Sequence, residues 1–108
     1  METVLVKDIY PGADSSFPLW MVSGGLFIYF TADNGVNGIE MWQTDGTGAG
    51  TMMVKDFAPG SDSSDPQWLS VVGNRLVFSV DDGIHGRELW MMFLGELNES
   101  VYLPVVLR

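Results

Sequence analysis

Two short loops hold the residues best suited to binding a metal ion. Residues 33–38 read Asp-Asn-Gly-Val-Asn-Gly, and residues 81–86 read Asp-Asp-Gly-Ile-His-Gly. Calcium takes about six to eight oxygen ligands, which makes the candidates Asp33, Asn34, Asp81 and Asp82. Neither loop has the alternating ligands and terminal glutamate of an EF-hand. Glycines and short polar side chains are also typical of tight turns, and we favour that interpretation. Calcium is therefore the one possible cofactor, and otherwise we expect none.

His85 is the sole histidine of the chain, and Arg87 follows two positions later. One histidine cannot build a structural zinc site, which needs several nitrogen or sulfur ligands. It could act as a base, but no recognisable motif places a serine or cysteine nucleophile beside it. The adjacent Asp81 and Asp82 give no sign of two carboxyls facing one glycosidic bond. We therefore expect no catalytic residues and a protein that is not an enzyme.

Four tryptophans occupy two repeated positions, Trp20 with Trp68 and Trp42 with Trp90. Exposed indole rings can stack on sugar faces, whereas repeated aromatic residues more often fill a core. We therefore expect the tryptophans to pack inside the protein. The residues that we keep as candidates for ligand binding are Trp20, Trp68, His85 and Arg87.

The segments that carry these residues come in two copies. Shifting the sequence by 48 positions lays residues 3–42 over residues 51–90 without a gap, and 18 of the 40 positions are identical. The series Lys-Asp, Pro-Gly, Asp-Ser-Ser and Pro occurs in residues 7–18 and again in residues 55–66. A catalytic site needs different groups at one place, so residues repeated in this way usually serve the fold. We expect Asp8, Asp56, Glu40 and Glu88 to be structural.

Short apolar runs between glycine-rich turns predict an all-β chain. The predicted strands cover residues 3–9, 19–23, 26–30 and 39–44, then 51–55, 68–72, 76–80 and 87–93. Two four-stranded antiparallel units at this spacing, followed by a terminal strand, resemble β-propeller blades. A β-sandwich built from a duplicated half is the alternative. We treat residues 1–108 as one module, with repeat units at 3–50 and 51–98, the second irregular after residue 90, and a terminal β segment at 99–108.

Two local features refine this expectation. Residues 26–30 place large apolar side chains on both faces of their strand, so both faces should be covered. The Pro-Gly pairs at residues 11–12 and 59–60 predict type II turns, with Gly12 and Gly60 at positive φ.

Residues 38–51 read Gly-Ile-Glu-Met-Trp-Gln-Thr-Asp-Gly-Thr-Gly-Ala-Gly-Thr, and residues 86–90 read Gly-Arg-Glu-Leu-Trp. Together with residues 54–66, these segments resemble the ELWxxDGT repeat family, whose tandem units occur in large bacterial surface or secreted proteins. The resemblance implies a propeller-like architecture and gives no catalytic residue to carry over. The first copy has Met41 in place of the family's leucine, and the second lacks the Asp-Gly-Thr turn, as expected of a terminal repeat.

Composition limits the partners. Fourteen acidic residues against five lysines and arginines give a formal net charge of −9, which would repel nucleic acids and anionic membrane surfaces. The longest apolar run is too short to span a bilayer, so we expect no membrane insertion. No cysteine is present, and residues 1–8 do not have the pattern of a signal peptide. Any export signal is expected outside this sequence.

Together these features predict a non-enzymatic repeat module that serves display, adhesion or ligand binding at the cell surface or outside the cell. Its expected partners are other repeat units of a longer chain, a second copy of itself, or a glycan. A glycan- or calcium-binding propeller module and a fragment of an extracellular hydrolase are the alternatives.

Overall fold

The structure is a computed structural model that describes residues 2–58 and 63–94 and the backbone of residues 105–107. The first sheet contains β1 (Leu19–Gly24), β2 (Phe27–Asp33), β3 (Ile39–Thr44) and β4 (Met52–Lys55). The second contains β5 (Gln67–Val72), β6 (Arg75–Asp81), β7 (Arg87–Phe93) and β8 (Val105–Leu107). The all-β prediction is confirmed, since no helix occurs in the described residues. It follows that no helix there could cross a membrane.

Each sheet is an antiparallel meander in which neighbouring strands follow one another along the chain. The β1–β2 and β5–β6 hairpins turn at Gly25 and Gly73, which lie 48 positions apart and have φ of 77° and 61°. Glycine adopts this left-handed conformation without the steric cost that a side chain would bring. The sequence repeat is therefore a repeat of backbone structure.

The strand predicted over residues 3–9 is wrong, because the structure has no strand between residues 2 and 18. The repeat explains the difference. Residues 3–7 correspond to residues 51–55, and there β4 pairs with β3, the strand that precedes it. Residues 3–7 pair with no strand among the described residues, so they lack the ladder hydrogen bonds that hold β4. Each sheet thus takes its fourth strand from beyond the repeat unit that supplies its first three.

The main core lies between the two sheets. Tyr29 and Met41 of the first sheet pack against a cluster that includes Leu76, Phe78 and Trp90 of the second. Phe57, in the linker between the sheets, adds ring contacts with Phe78 at 5.5 Å and with Trp90 at 5.6 Å. Aromatic pairs at these separations stabilise a core beyond the area that they bury.

The opposite face of the first sheet carries a smaller cluster of Phe30, Ala32 and Trp42, against which Ile9 packs. Adjacent residues of β2 therefore contribute to different clusters, Tyr29 to one and Phe30 to the other. The prediction that both faces of residues 26–30 are covered is therefore met only in part, because Tyr29 and Phe30 are buried on opposite faces whereas Leu26 and Ile28, on the face of Phe30, are exposed.

The remaining turn and terminal predictions are partly tested. Gly12 has φ of 101°, as predicted, whereas Gly60 lies outside the described residues. Within the predicted terminal segment, β8 pairs with β7 through Leu89 with Leu107, Trp90 with Val106 and Met91 with Val105. Other residues of that segment lie outside the described part of the chain.

Replacing Trp90 by alanine should lower the free energy of unfolding by about 3 to 5 kcal/mol, the usual loss when a large aromatic side chain leaves a core. Trp90 is only 8% exposed, and its ring contacts that of Phe57. Urea denaturation would measure the loss. The matched control is Trp68→Ala, since Trp68 is 67% exposed and its truncation should cost far less. Equal midpoints for Trp90→Ala and the unmodified protein would contradict the core assignment.

Candidate functional site

Trp20 and Trp68 form an exposed pair where β1 and β5 lie side by side. Their ring centroids are 4.7 Å apart and their planes are inclined by 49°. Trp20 is 36% exposed and Trp68 is 67% exposed. The expectation of core packing is thus correct for Trp42 and Trp90 and wrong for these two residues. Large exposed aromatic rings that contact each other offer an apolar surface to a ligand.

The backbone explains why these two tryptophans are exposed. Both have φ of 58°, a left-handed conformation that bulky residues rarely adopt. Each also lies where strand pairing shifts register, between Leu19 and Val22 in β1 and between Gln67 and Ser70 in β5. A bulge of this kind redirects a side chain. Strain that is kept at both copies of one position is an observation that points to function.

A second strained position occurs just before each of these tryptophans. Phe17 and Asp65, also 48 positions apart, have φ of 49° and 48° and each precedes a proline. A residue before proline usually has an extended backbone instead. Phe17 is 67% exposed and lies three residues before Trp20. In the sequence, the one indication of an unusual backbone here is that the proline and the tryptophan recur at the same spacing in both copies.

Arg87 is held beside the beginning of β5. Its guanidinium donates to Ser79 Oγ at 2.9 Å and to the carbonyl oxygen of Asp65 at 3.0 Å, and it lies 3.6 Å from the Asp65 carboxylate. The same carboxylate accepts a hydrogen bond from Gln67 Nε2 at 2.9 Å. Gln67 directly precedes Trp68 in the sequence. A charged group and an amide therefore meet at Asp65, three residues before Trp68.

The loop at residues 33–38 uses its side-chain oxygens to hold its own backbone. Asp33 Oδ1 accepts from the backbone N–H of Gly35 at 2.8 Å. Asn34 Oδ1 accepts from the backbone N–H groups of Val36 and Asn37, both at 2.9 Å. These are the local contacts by which short polar residues stabilise turns.

The loop at residues 81–86 repeats that arrangement. Asp81 Oδ1 accepts from the backbone N–H of Gly83, and Asp82 Oδ1 accepts from those of Ile84 and His85. The His85 ring nitrogen Nδ1 lies 2.7 Å from Asp82 Oδ2. The backbone N–H of His85 is the largest influence that lowers the pKa of Asp82, to about 2. His85 therefore belongs to the turn and not to the Trp68 segment.

Both loops are thus turns, as the interpretation we favoured predicts. Across residues 2–58 and 63–94, no three histidine, cysteine, aspartate or glutamate side chains come together as a metal-binding group. Calcium binding by Asp33, Asn34, Asp81 and Asp82 stays a prediction. One side-chain oxygen of each of these residues already accepts from backbone N–H groups.

Glu40 forms a buried polar contact between β3 and the linker to the second sheet. Its Oε1 accepts from Ser64 Oγ and, at 3.1 Å, from the backbone N–H of Phe57. No donor reaches Glu40 Oε2 or Asp56 Oδ1, and both atoms are buried. Burial, reinforced by the neighbouring Asp56, raises the pKa of Glu40 to about 7 against the opposing effect of the two hydrogen bonds. A proton shared by the two carboxyl groups would satisfy both oxygens.

Comparison with protein-family models, with curated proteins and with solved structures found no match to this chain. The assignment of a function therefore depends on the residues themselves.

The pKa of Glu40 predicts how stability changes with pH. Between pH 4.5 and about 7 the folded protein holds a proton that the unfolded chain releases. The free energy of unfolding should therefore fall as pH rises through this range, by on the order of 3 kcal/mol, and level off above it. In Glu40→Gln this fall should disappear, because the amide is neutral throughout. Urea denaturation at several pH values measures the effect.

The matched control is Glu88→Gln, at the equivalent position of the second unit, where the side chain is only partly buried. This variant should keep the pH dependence of the unmodified protein. An equally steep fall in Glu40→Gln would show that another group causes it.

Proposed function

We propose that this chain is a non-enzymatic, glycan-binding repeat module of a bacterial surface or secreted protein, and that its sheets are two blades of a propeller-like array. The resemblance of residues 38–51 and 86–90 to the ELWxxDGT repeats supports the location and the architecture. The paired tryptophans are the observation that supports ligand binding.

Three structural features support the assignment of blades. Each sheet is a four-stranded meander, the two sheets pack face to face, and the first strands β1 and β5 lie side by side. These are properties of neighbouring propeller blades. A self-contained sandwich is less consistent with the apolar residues on the outer face of the first sheet, where Met21 is 60% exposed and Ile28 is 43% exposed.

The tryptophan pair suits a neutral sugar. Aromatic rings pack against the apolar face of a pyranose, while nearby polar groups bind its hydroxyls. Trp20 and Trp68 supply the rings, and the Gln67 side chain and the Arg87 guanidinium both contact Asp65, three residues before Trp68. A net charge of −9 disfavours acidic sugars. Strain at φ of 58° in both tryptophans is consistent with positions kept for binding at some cost in stability.

Binding without catalysis is the reading best supported by the chemistry around His85. Its imidazole contacts Asp82 within a turn, and the backbone N–H groups of this turn are held by the same carboxylate. No motif supplies a nucleophile beside it.

A neutral-glycan array, followed by isothermal titration calorimetry with the glycans that bind, tests this proposal. Replacing Trp68 by glycine should weaken binding at least tenfold. The free energy of unfolding should stay the same or rise by up to about 1 kcal/mol, because glycine accepts the positive φ without strain. Val72→Ala, at the far end of β5, removes another exposed apolar side chain and should bind normally.

Binding should also persist in EDTA, because oxygens of both acidic loops are hydrogen-bonded to backbone amides. Loss of binding in EDTA would favour the calcium-dependent alternative. No binding to any neutral glycan, or unchanged affinity in Trp68→Gly, would contradict the proposed site.

A further inference from the structure

The buried interface joins two different faces of the repeated sheet. Phe30 and Trp42 lie on one face of the first sheet, and the equivalent Phe78 and Trp90 lie on the same face of the second. We call this the front face. The opposite face, which carries Met41 in the first sheet, is the back face. Tyr29 and Met41 belong to the main core with Phe78 and Trp90. The back face of the first sheet therefore packs on the front face of the second.

The front face of the first sheet and the back face of the second sheet form the two outer surfaces of the molecule. Each is the repeat equivalent of a face that is buried in the interface. On the front face, Leu76 is fully buried in the second sheet, whereas the equivalent Ile28 in the first is 43% exposed. On the back face, Met41 is fully buried in the first sheet, whereas the equivalent Leu89 in the second is 47% exposed. Leu76 and Met41, which the interface buries, thus have equivalents that are left open, whereas Phe30 and Trp42, the equivalents of Phe78 and Trp90, are buried.

The open front face already has one feature of the buried interface. Ile9 packs against the cluster of Phe30 and Trp42. Its repeat equivalent Phe57 contacts Phe78 and Trp90, which correspond to the same two residues in the second sheet. The segment before the first sheet therefore occupies the place that the linker occupies before the second.

Beside Ile9 the front face borders an open groove of about 600 Å³. Its apolar lining includes Val4, Leu5, Val6, Met21 and Ile28. Apolar side chains that line an open groove are typical of a surface that binds another protein.

We propose that a second copy of this chain docks on this surface, with the back face of its second sheet against the front face of the first sheet. The contact would reproduce between molecules the interface that the chain already forms internally. It joins two different surfaces, so the association runs head to tail. Propellers close with about four to eight blades, so rings would hold about two to four copies of this two-sheet chain.

Residues 3–7 correspond to residues 51–55, which provide the fourth strand of the first sheet. In the proposed contact, residues 3–7 of one copy would therefore lie at the fourth-strand position of the other copy's second sheet. That position is occupied by β8, which pairs with β7 through three residue pairs only. We expect residues 3–7 to replace β8 there and to form a strand, which they do not form within their own molecule. This inference does not depend on glycan binding, because neither Trp20 nor Trp68 contributes to it.

Analytical ultracentrifugation of two single variants and their mixture tests the proposal. Ile28→Asp places a charge on the open front face, and Leu89→Asp places one on the open back face. Both residues are exposed enough that the variants should fold, which circular dichroism would verify. Ile84→Asp is the matched control, because Ile84 is 82% exposed in the loop at residues 81–86. Salt near 0.15 M screens the repulsion expected from a net charge of −9.

The unmodified chain and Ile84→Asp should sediment as an oligomer, and each face variant alone should be a monomer, with affinity lowered at least tenfold. An equimolar mixture of the two face variants should form a heterodimer, because the intact back face of one meets the intact front face of the other. A contact between identical faces would instead survive in one variant alone. Three results would each overturn the proposal. They are association that survives in one face variant alone, an unmodified chain that is monomeric at micromolar concentration, and a mixture of the two face variants that stays monomeric.

Discussion

The buried carboxyl group of Glu40 connects the first sheet to the linker that leads to the second. It is completely buried, and it binds the linker at two points, the backbone of Phe57 and the hydroxyl of Ser64. The neighbouring Ile39 adds to this connection, since its carbonyl oxygen accepts from the backbone N–H of Ser64 and its own N–H donates to Ser63 Oγ. A buried carboxyl is costly unless its hydrogen bonds are made. The linker must therefore return to β3, which fixes where the second sheet begins and sets Phe57 against Phe78 and Trp90.

This network gives a physical reason for the repeated polar residues. Glu40 of the first unit binds Ser64 of the second, so this polar contact joins consecutive units. Ser64 also accepts the backbone N–H of Asp81 through its carbonyl oxygen, as Ser16 does for Asp33. The prediction that repeated residues serve the fold is supported here by named contacts. The sequence could suggest that Glu40 was structural, but it could not show which groups it binds.

Strand positions were predictable because apolar runs and turn residues are local signals. Strands β3 and β7 begin and end where the sequence predicts, and the other strands within residues 19–93 differ by one to three residues at an end. The error at residues 3–9 has a different origin, since a strand needs a partner and the sequence of a segment does not report one. Exposure of Trp20 and Trp68 was unpredictable for a related reason. It depends on a bulge and a left-handed φ, and neither has a signature in the residue types.

The offset between repeat and sheet also affects how such a protein can change in length. Because the fourth strand of the first sheet lies beyond the boundary at residue 50, neither unit of 48 residues is a complete structural piece. In a longer array of such units, a duplication or deletion of 48 residues would nevertheless preserve the pairing within the sheets that remain, because each sheet takes its fourth strand from the segment that follows its unit. Arrays of this kind can therefore gain or lose units by recombination at many positions, without requiring a breakpoint in a loop.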